Sequence, residues 1–170
     1  ASPDAARLRQ VIPRYLSTLE RLAAHRVELV VVGGVAAVLQ GAPVVTFDLD
    51  VVHRRTGENV ERLFGALEEM EARYRGDPRS LQPSRELLRG PGHHLLATAL
   101  GPLDLLGAIG DGLAYEDLVV DTVTLDLPGL AVPVLELSRL IAVKESLGRP
   151  KDLAALPTLK ATLDEIRRRS

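Results

Sequence analysis

The chain has 170 residues, of which 46% are hydrophobic, 26% charged and none cysteine. That length suits one ordinary domain able to bury roughly 70% of its extended surface, and the missing cysteines exclude disulfides, thiolate metal sites and cysteine nucleophiles. A net charge of -2 excludes a uniformly basic nucleic-acid coat, and 3% aromatic residues argue against a platform of stacked rings.

The longest apolar runs, Leu29 to Val32 and Leu95 to Leu100, fall well short of the roughly 20 residues a membrane helix needs. No signal peptide opens the sequence, so a cytoplasmic protein without membrane contact is expected. From Asp4 to His25 the apolar residues Leu8, Val11, Ile12, Tyr15, Leu16, Leu19 and Leu22 recur at helical spacing, with Pro13 as a kink. Glu28 to Val32 reads as a buried strand ended by Gly33 and Gly34, and Val35 to Gln40 as a short helix closed by Gly41. Thr46 to His53 reads as a second strand, with Asp48 and Asp50 on one face and Phe47, Leu49 and Val51 turned into the core.

Gly57 to Arg73 is a predicted helix with Val60, Leu63, Phe64, Leu67 and Met70 inward, and Tyr74 to Gly92 a long, arginine-bearing loop. Two hairpins follow: His93 to Leu100 with Pro102 to Leu106, and Leu118 to Leu127 with Leu130 to Leu135. Glu136 to Leu147 is a helix, broken at Gly148 to Pro150 before a last helix from Lys151 to about Arg169, interrupted near Pro157. Together these elements predict an α+β fold, a mixed sheet of five or six strands with flanking helices.

The chemistry is concentrated between Val30 and Val52. Gly33 and Gly34 lack a Cβ, so an anion can approach their backbone closely. Asp48 and Asp50, two apart on a strand, share a face at roughly 6 to 7 Å between Cα atoms, a spacing that can converge on a hard cation. Asp104, in Pro102-Leu-Asp-Leu-Leu106, is a third carboxylate flanked by apolar residues. Should its strand neighbour the first acidic one, three like charges meet. Each pair about 4 Å apart then costs on the order of 4 kcal/mol at an effective dielectric of about 20, unless a cation intervenes.

The glycine pair, the Thr46-x-Asp48-x-Asp50 element a dozen residues later and the apolar-flanked Asp104 resemble the nucleotidyltransferase superfamily of the DNA polymerase β type. Within it the chain is most similar to small bacterial AbiEii-type toxins and minimal nucleotidyltransferases. The run Val132 to Lys144, followed by Arg149-Pro-Lys151-Asp152, resembles their C-terminal signature. The resemblance implies one nucleotidyltransferase domain over residues 1–170, with a core of about 27–135 and a C-terminal helical segment of about 136–170. It implies transfer of a nucleoside monophosphate from a nucleoside triphosphate to an acceptor hydroxyl, with two magnesium ions, or manganese, as cofactor.

Asp48, Asp50 and Asp104 would be the catalytic residues and metal ligands, with Asp104 also helping to deprotonate the acceptor. Gly33, Gly34, Lys144 and Asp152 would bind the nucleotide. Implied partners are the triphosphate, an RNA (tRNA first) or protein acceptor, an antitoxin partner and a second copy of the chain. Two other readings stay open: nucleotidylation of a small molecule such as an antibiotic, and a catalytically silent antitoxin-like or scaffold protein. One departure is that many toxin-like relatives carry an arginine just before the Asp-x-Asp element, where this chain has Val44 and Val45. Arg54 and Arg55 lie beyond the aspartates.

Several residues have a structural reading beside the functional one. Lys144 can be a snorkelling lysine and Asp152 a helix cap. Arg73, Arg75, Arg79, Arg85 and Arg89 can clamp phosphate or lie solvated in their loop. His93 and His94, adjacent on a strand, face opposite ways and cannot easily share an ion.

Overall fold

Burial explains the first strand directly: Leu29–Val32 (β1) is a β-branched run with every residue buried in the computed structural model, which describes residues 15–127 and 129–170. The helix ahead of it, α1, covers residues 15–24 and packs Tyr15, Leu19 and Leu22 into the core. The earlier part of that expected helix, including Leu8, Val11, Ile12 and Pro13, lies outside the described residues.

After β1 come α2 (Gly33–Leu39), β2 (Leu49–His53), α3 (Gly57–Glu69), β3 (Arg73–Tyr74) and α4 (Arg85–Leu88). The chain continues through β4 (His93–Thr98), β5 (Gly101–Leu106), α5 (Tyr115–Leu118) and a 3-10 turn at Val119–Asp121. It ends in β6 (Thr122–Leu127), β7 (Leu130–Leu135), α6 (Leu137–Leu147) and α7 (Pro150–Arg169). The strands form one sheet in the order β3-β4-β5-β2-β1-β7-β6. Both β1 with β7 and β2 with β5 run parallel, and the other neighbours are antiparallel.

The architecture is the expected mixed α+β one, with seven strands in place of five or six. The added strand is β3, two residues that pair with Ala97 and Leu96 at the sheet edge. It follows α3 sooner than helical periodicity suggests, because α3 stops at Glu69 and Met70 caps it. The stretch read as a loop also contains α4, whose N-cap Ser84 accepts a hydrogen bond from the Leu87 N–H. Likewise, Tyr115 to Asp121 is helical, so the first strand of the second hairpin starts at Thr122. Pro157 does not interrupt α7. Its ring faces solvent while Leu156 and Leu159 on either side are buried, so packing holds the helix through the missing hydrogen bond.

Two side-chain amides, Asn59 buried and Gln40 half-buried, fix how the elements meet. Asn59 on α3 accepts from the Glu28 N–H at 2.7 Å and donates to the Glu28 and Arg54 carbonyls, tying the start of β1 to the end of β2. Gln40, just after α2, donates to the Leu135 carbonyl at 2.8 Å and accepts from the Leu137 N–H at 3.0 Å. It thereby fastens α2 to the start of α6, where an uncapped helix N–H would otherwise be unsatisfied.

His53 closes β2 with no exposed surface, and its Nε2–H donates to the Leu88 carbonyl at 2.7 Å, which holds α4 against the sheet. Burial lowers its pKa from 6.5 to about 4. The unfolded chain therefore takes up a proton near pH 6.5 while the folded chain resists until about 4, so folding stability falls as pH drops through that window. The full effect is about 3 kcal/mol. Thermal melts of His53→Gln should lose less stability than wild type between pH about 6.5 and 4, and an unchanged acid slope would contradict this reading.

Candidate functional site

The pairing of β2 with β5 builds the centre of the site. Their parallel register sets Asp50 opposite Asp104 and places both side chains on one face. Burial is the main force on the Asp50 carboxyl, pushing its pKa up to about 7. A hydrogen bond with Asp104 and the charges of Asp104 and Asp48 add to that rise, while Arg75 opposes it. Asp104 is 8% exposed, so two carboxyls meet where water cannot screen them well.

Asp48 departs from its expected position. The strand begins at Leu49, so Asp48 precedes β2 and its side chain is more open, 41% exposed. The alternation that would bury Phe47 fails with it, and the Phe47 ring stands 69% exposed next to Asp48. Leu49 and Val51 are buried as expected.

Arg75 bridges the acidic residues. Its Nη2 lies 3.0 Å from Asp104 Oδ1 and 3.9 Å from Asp48 Oδ2. Neither Arg54, which pairs with Glu28 and Glu116, nor Arg55, whose Nη1 donates to the Arg89 carbonyl, takes this place. Other loop arginines are engaged locally, Arg79 with Asp77, and Arg85 with Glu61 and the face of Phe64. Arg79 is thus paired within the loop and Arg85 against α3, while Arg75 reaches the aspartates on the sheet.

Gly33 and Gly34 begin α2 at the end of β1, beside Asp50. Gly33 has φ +67, and a Cβ there would overlap the Asp50 carboxylate; a Cβ on Gly34 would come within 2.6 Å of Thr46 Oγ1. The glycine pair is thus required by close packing against Asp50 on β2 and Thr46 ahead of it, independent of any ligand.

A cavity of about 700 Å³ opens from this point, lined by Gly33, Gly34, Asp50, Lys144 and Asp152. Arg149, Lys151 and His93 also reach it, and Leu106, Ile109, Leu140 and Val143 form an apolar wall. Asp152 is not a helix cap. Arg149 holds that place, and Asp152 is buried, accepting from Arg149 at 2.6 Å with Lys144 Nζ 3.6 Å away. The Arg149 guanidinium is the main influence holding the Asp152 carboxyl below its usual range. Five expected site residues therefore share one cavity, while Asp48 and Asp104 adjoin it through Asp50 and Arg75. His93 is exposed and His94 buried, with Tyr74 Oη 2.7 Å from His94 Nδ1, so the two histidines do face apart.

Among the described residues no group of three or more acidic or histidine side chains is placed, as it stands, to hold a metal ion. Arg75 lies between Asp48 and Asp104 instead. The donors nonetheless suit a hard divalent cation. They are carboxylates only, and the two that touch already need a proton or a cation between them. Among the described residues no helix is long and apolar enough to cross a membrane.

No family model matches the chain, and neither does any curated protein. A solved structure does: the crystal structure of a "putative nucleotidyltransferase" from Thermotoga maritima, 22% identical, over 90% of this chain and 94% of that one, with a TM-score of 0.54. The chain has a nucleotidyltransferase-like fold.

The contact between Gly33 and Asp50 can be tested without a ligand. Gly33→Ala should cost about 1 to 3 kcal/mol in denaturant titrations. Gly41→Ala, also at positive φ but with open space around it, should cost less. Equal losses would show that the carboxylate contact contributes nothing.

Proposed function

We propose that the chain is a magnesium-dependent nucleotidyltransferase that moves a nucleoside monophosphate from a nucleoside triphosphate to a hydroxyl on RNA. The observation that carries this is the cavity, which joins the Gly33-Gly34 turn and Asp50 at one side to Lys144, Arg149 and Lys151 at the other. Its volume of about 700 Å³ is within the range of small-molecule sites. The apolar wall offers a place for a base, and the cations oppose it with charge for phosphates. The neighbour's fold supports the same class of chemistry.

Lys144 and Arg149 are held by Asp152, so their charges are aimed before the substrate arrives. Lys151 adds a third cation to that wall. In the transfer, the acceptor oxygen forms a bond to the α-phosphorus, the bond to the bridging oxygen of pyrophosphate breaks, and Asp104 takes the acceptor proton. Asp48, Asp50 and Asp104 would hold magnesium, whose contribution is to polarise the α-phosphate and offset the charge on the departing pyrophosphate. Gly33 and Gly34 let the phosphates approach the backbone.

RNA is favoured over a small acceptor by Phe47. In a chain with only two phenylalanines, this ring stands 69% exposed beside Asp48, where it offers a face for a base to stack on. Kinship to AbiEii-type toxins, a tRNA acceptor, an antitoxin partner, a homodimer and a cytoplasmic location all belong to this proposal.

The test offers α-labelled nucleotides to total tRNA, cell protein and small antibiotics in parallel. Transfer to tRNA is expected, falling by about a hundredfold or more in Asp48→Asn. Label on protein or antibiotic alone would replace RNA as the acceptor. No transfer by wild type to any acceptor, or equal transfer by Asp48→Asn, would overturn the mechanism.

A further inference from the structure

The acidic cluster is neutralised by the chain itself. Arg75 follows β3, and its backbone N–H donates to the Leu95 carbonyl at 2.9 Å. Its Nη1 donates to the Leu96 carbonyl at 3.1 Å. Leu95 is the register partner of Asp104 across β4 and β5. Strand pairing therefore delivers this guanidinium to the Asp104 carboxylate, where Nη2 donates to Oδ1 at 3.0 Å. The same nitrogen is 3.9 Å from Asp48.

We propose that Arg75 is the resident cation of the Asp48, Asp50 and Asp104 cluster, positioning Asp104 and Asp48 before a divalent ion binds and competing with that ion for their oxygens. The competition rests on the metal-dependent reading given above; the positioning role does not.

Three observations support it. First, Arg75 is the loop arginine that reaches the aspartates, while Arg79 and Arg85 pair with carboxylates elsewhere. Second, its side chain is only 33% exposed and that of Asp104 12%. The pair is thus less screened than a surface ion pair, and an unpaired Asp104 would be poorly solvated. Third, among the described residues no three carboxylates are grouped to hold a metal ion, while the guanidinium contacts Asp104 and approaches Asp48. An ion that takes Asp104 Oδ1 must take it from Arg75, whose Nη2 also lies 3.9 Å from Asp48 Oδ2. The Leu96 carbonyl then keeps one partner for the guanidinium, so yielding the carboxylates does not leave it bare.

Arg75 is a positioning residue in this account, since it acts through the aspartates it contacts. Its charge sets a threshold: metal binds once its gain exceeds the loss of the arginine pairing. The planar fork of arginine suits this role better than a lysine ammonium would.

The experiment compares wild type, Arg75→Gln and Arg75→Lys as full chains, with Mn2+ as the probe and free Mn2+ read by electron paramagnetic resonance. Arg75→Gln should bind Mn2+ at least about fivefold more tightly than wild type, with Arg75→Lys between the two. In metal-free buffer Arg75→Gln should melt about 3 to 6 °C lower. Adding Asp104→Asn to it should recover part of that loss, because the stranded carboxylate is gone. Equal or weaker Mn2+ binding by a folded Arg75→Gln overturns the competition. An unchanged melting temperature, or no recovery in the double variant, overturns the positioning role. Should Arg75→Gln fail to fold, Arg75→Lys decides, and Mn2+ affinity no higher than wild type counts against the proposal. Absence of Mn2+ binding in every variant sinks the metal-dependent reading and the competition with it, and the metal-free melts then judge the positioning role separately.

Discussion

Asp50 and Asp104 are register partners on adjacent parallel strands, and much of the site follows from that enforced proximity. A parallel pair keeps its side chains on one face at the strand spacing, so neither carboxyl can avoid the other by a small adjustment. Sliding either strand by one residue would send its carboxylate to the opposite face and displace its buried neighbours, Leu49 and Val51 on β2 or Leu103 and Leu105 on β5, from the core. The hydrophobic side of the sheet therefore holds the two acids together. Burial first, and then the neighbouring Asp104, raises the Asp50 pKa, and an arginine just beyond β3 reaches in to the pair.

The same strands position the other half of the cavity. β1 lies against β2, so the turn at its end places Gly33 on Asp50. From there the connection is short. α2 leads to Gln40, whose amide holds both the end of β7 and the first N–H of α6. α6 then carries Lys144 to Asp152 on α7. The acidic and basic sides are thus linked by paired strands, the Gln40 hydrogen bonds and the Lys144–Asp152 ion pair, and their separation does not depend on the long loop. Near-zero net charge conceals this division, because it averages an acidic strand face with a basic helical wall.

Most of this was legible where periodicity and burial agree. The buried runs at Leu29–Val32 and Leu130–Leu135, the α3 stripe and the Asp-x-Asp strand all appear close to where residue spacing puts them. The gathering of Gly33, Gly34, Asp50, Lys144 and Asp152 was legible through the family resemblance, and would not follow from local pattern alone. Phe47 was misread because alternation was extended one turn of the pleat too far. The segment before Leu49 is not paired, so nothing forces Phe47 inward. β3 and α4 are too short to show a period, and both are held by tertiary contacts, to β4 and to His53. Arg75 stood in view among the loop arginines, but its destination depends on β3 pairing with β4, which no local signal announces. Asp152 admits a helix-cap reading beside the nucleotide-binding one for a similar reason: its two cationic partners lie three and eight residues before it, across the break between α6 and α7 that only the folded geometry closes.

The central claim is that the β2–β5 register brings Asp50 and Asp104 together beside Asp48, and that Arg75 holds the place a divalent cation would take. Crystals of the full chain grown with Mn2+, with the ion located by its anomalous scattering, test that most directly. The account predicts Mn2+ bound to Asp50 and Asp104 together, with the Arg75 guanidinium withdrawn from Asp104. Mn2+ bound elsewhere, or bound at the aspartates with Arg75 still donating to Asp104, would contradict it.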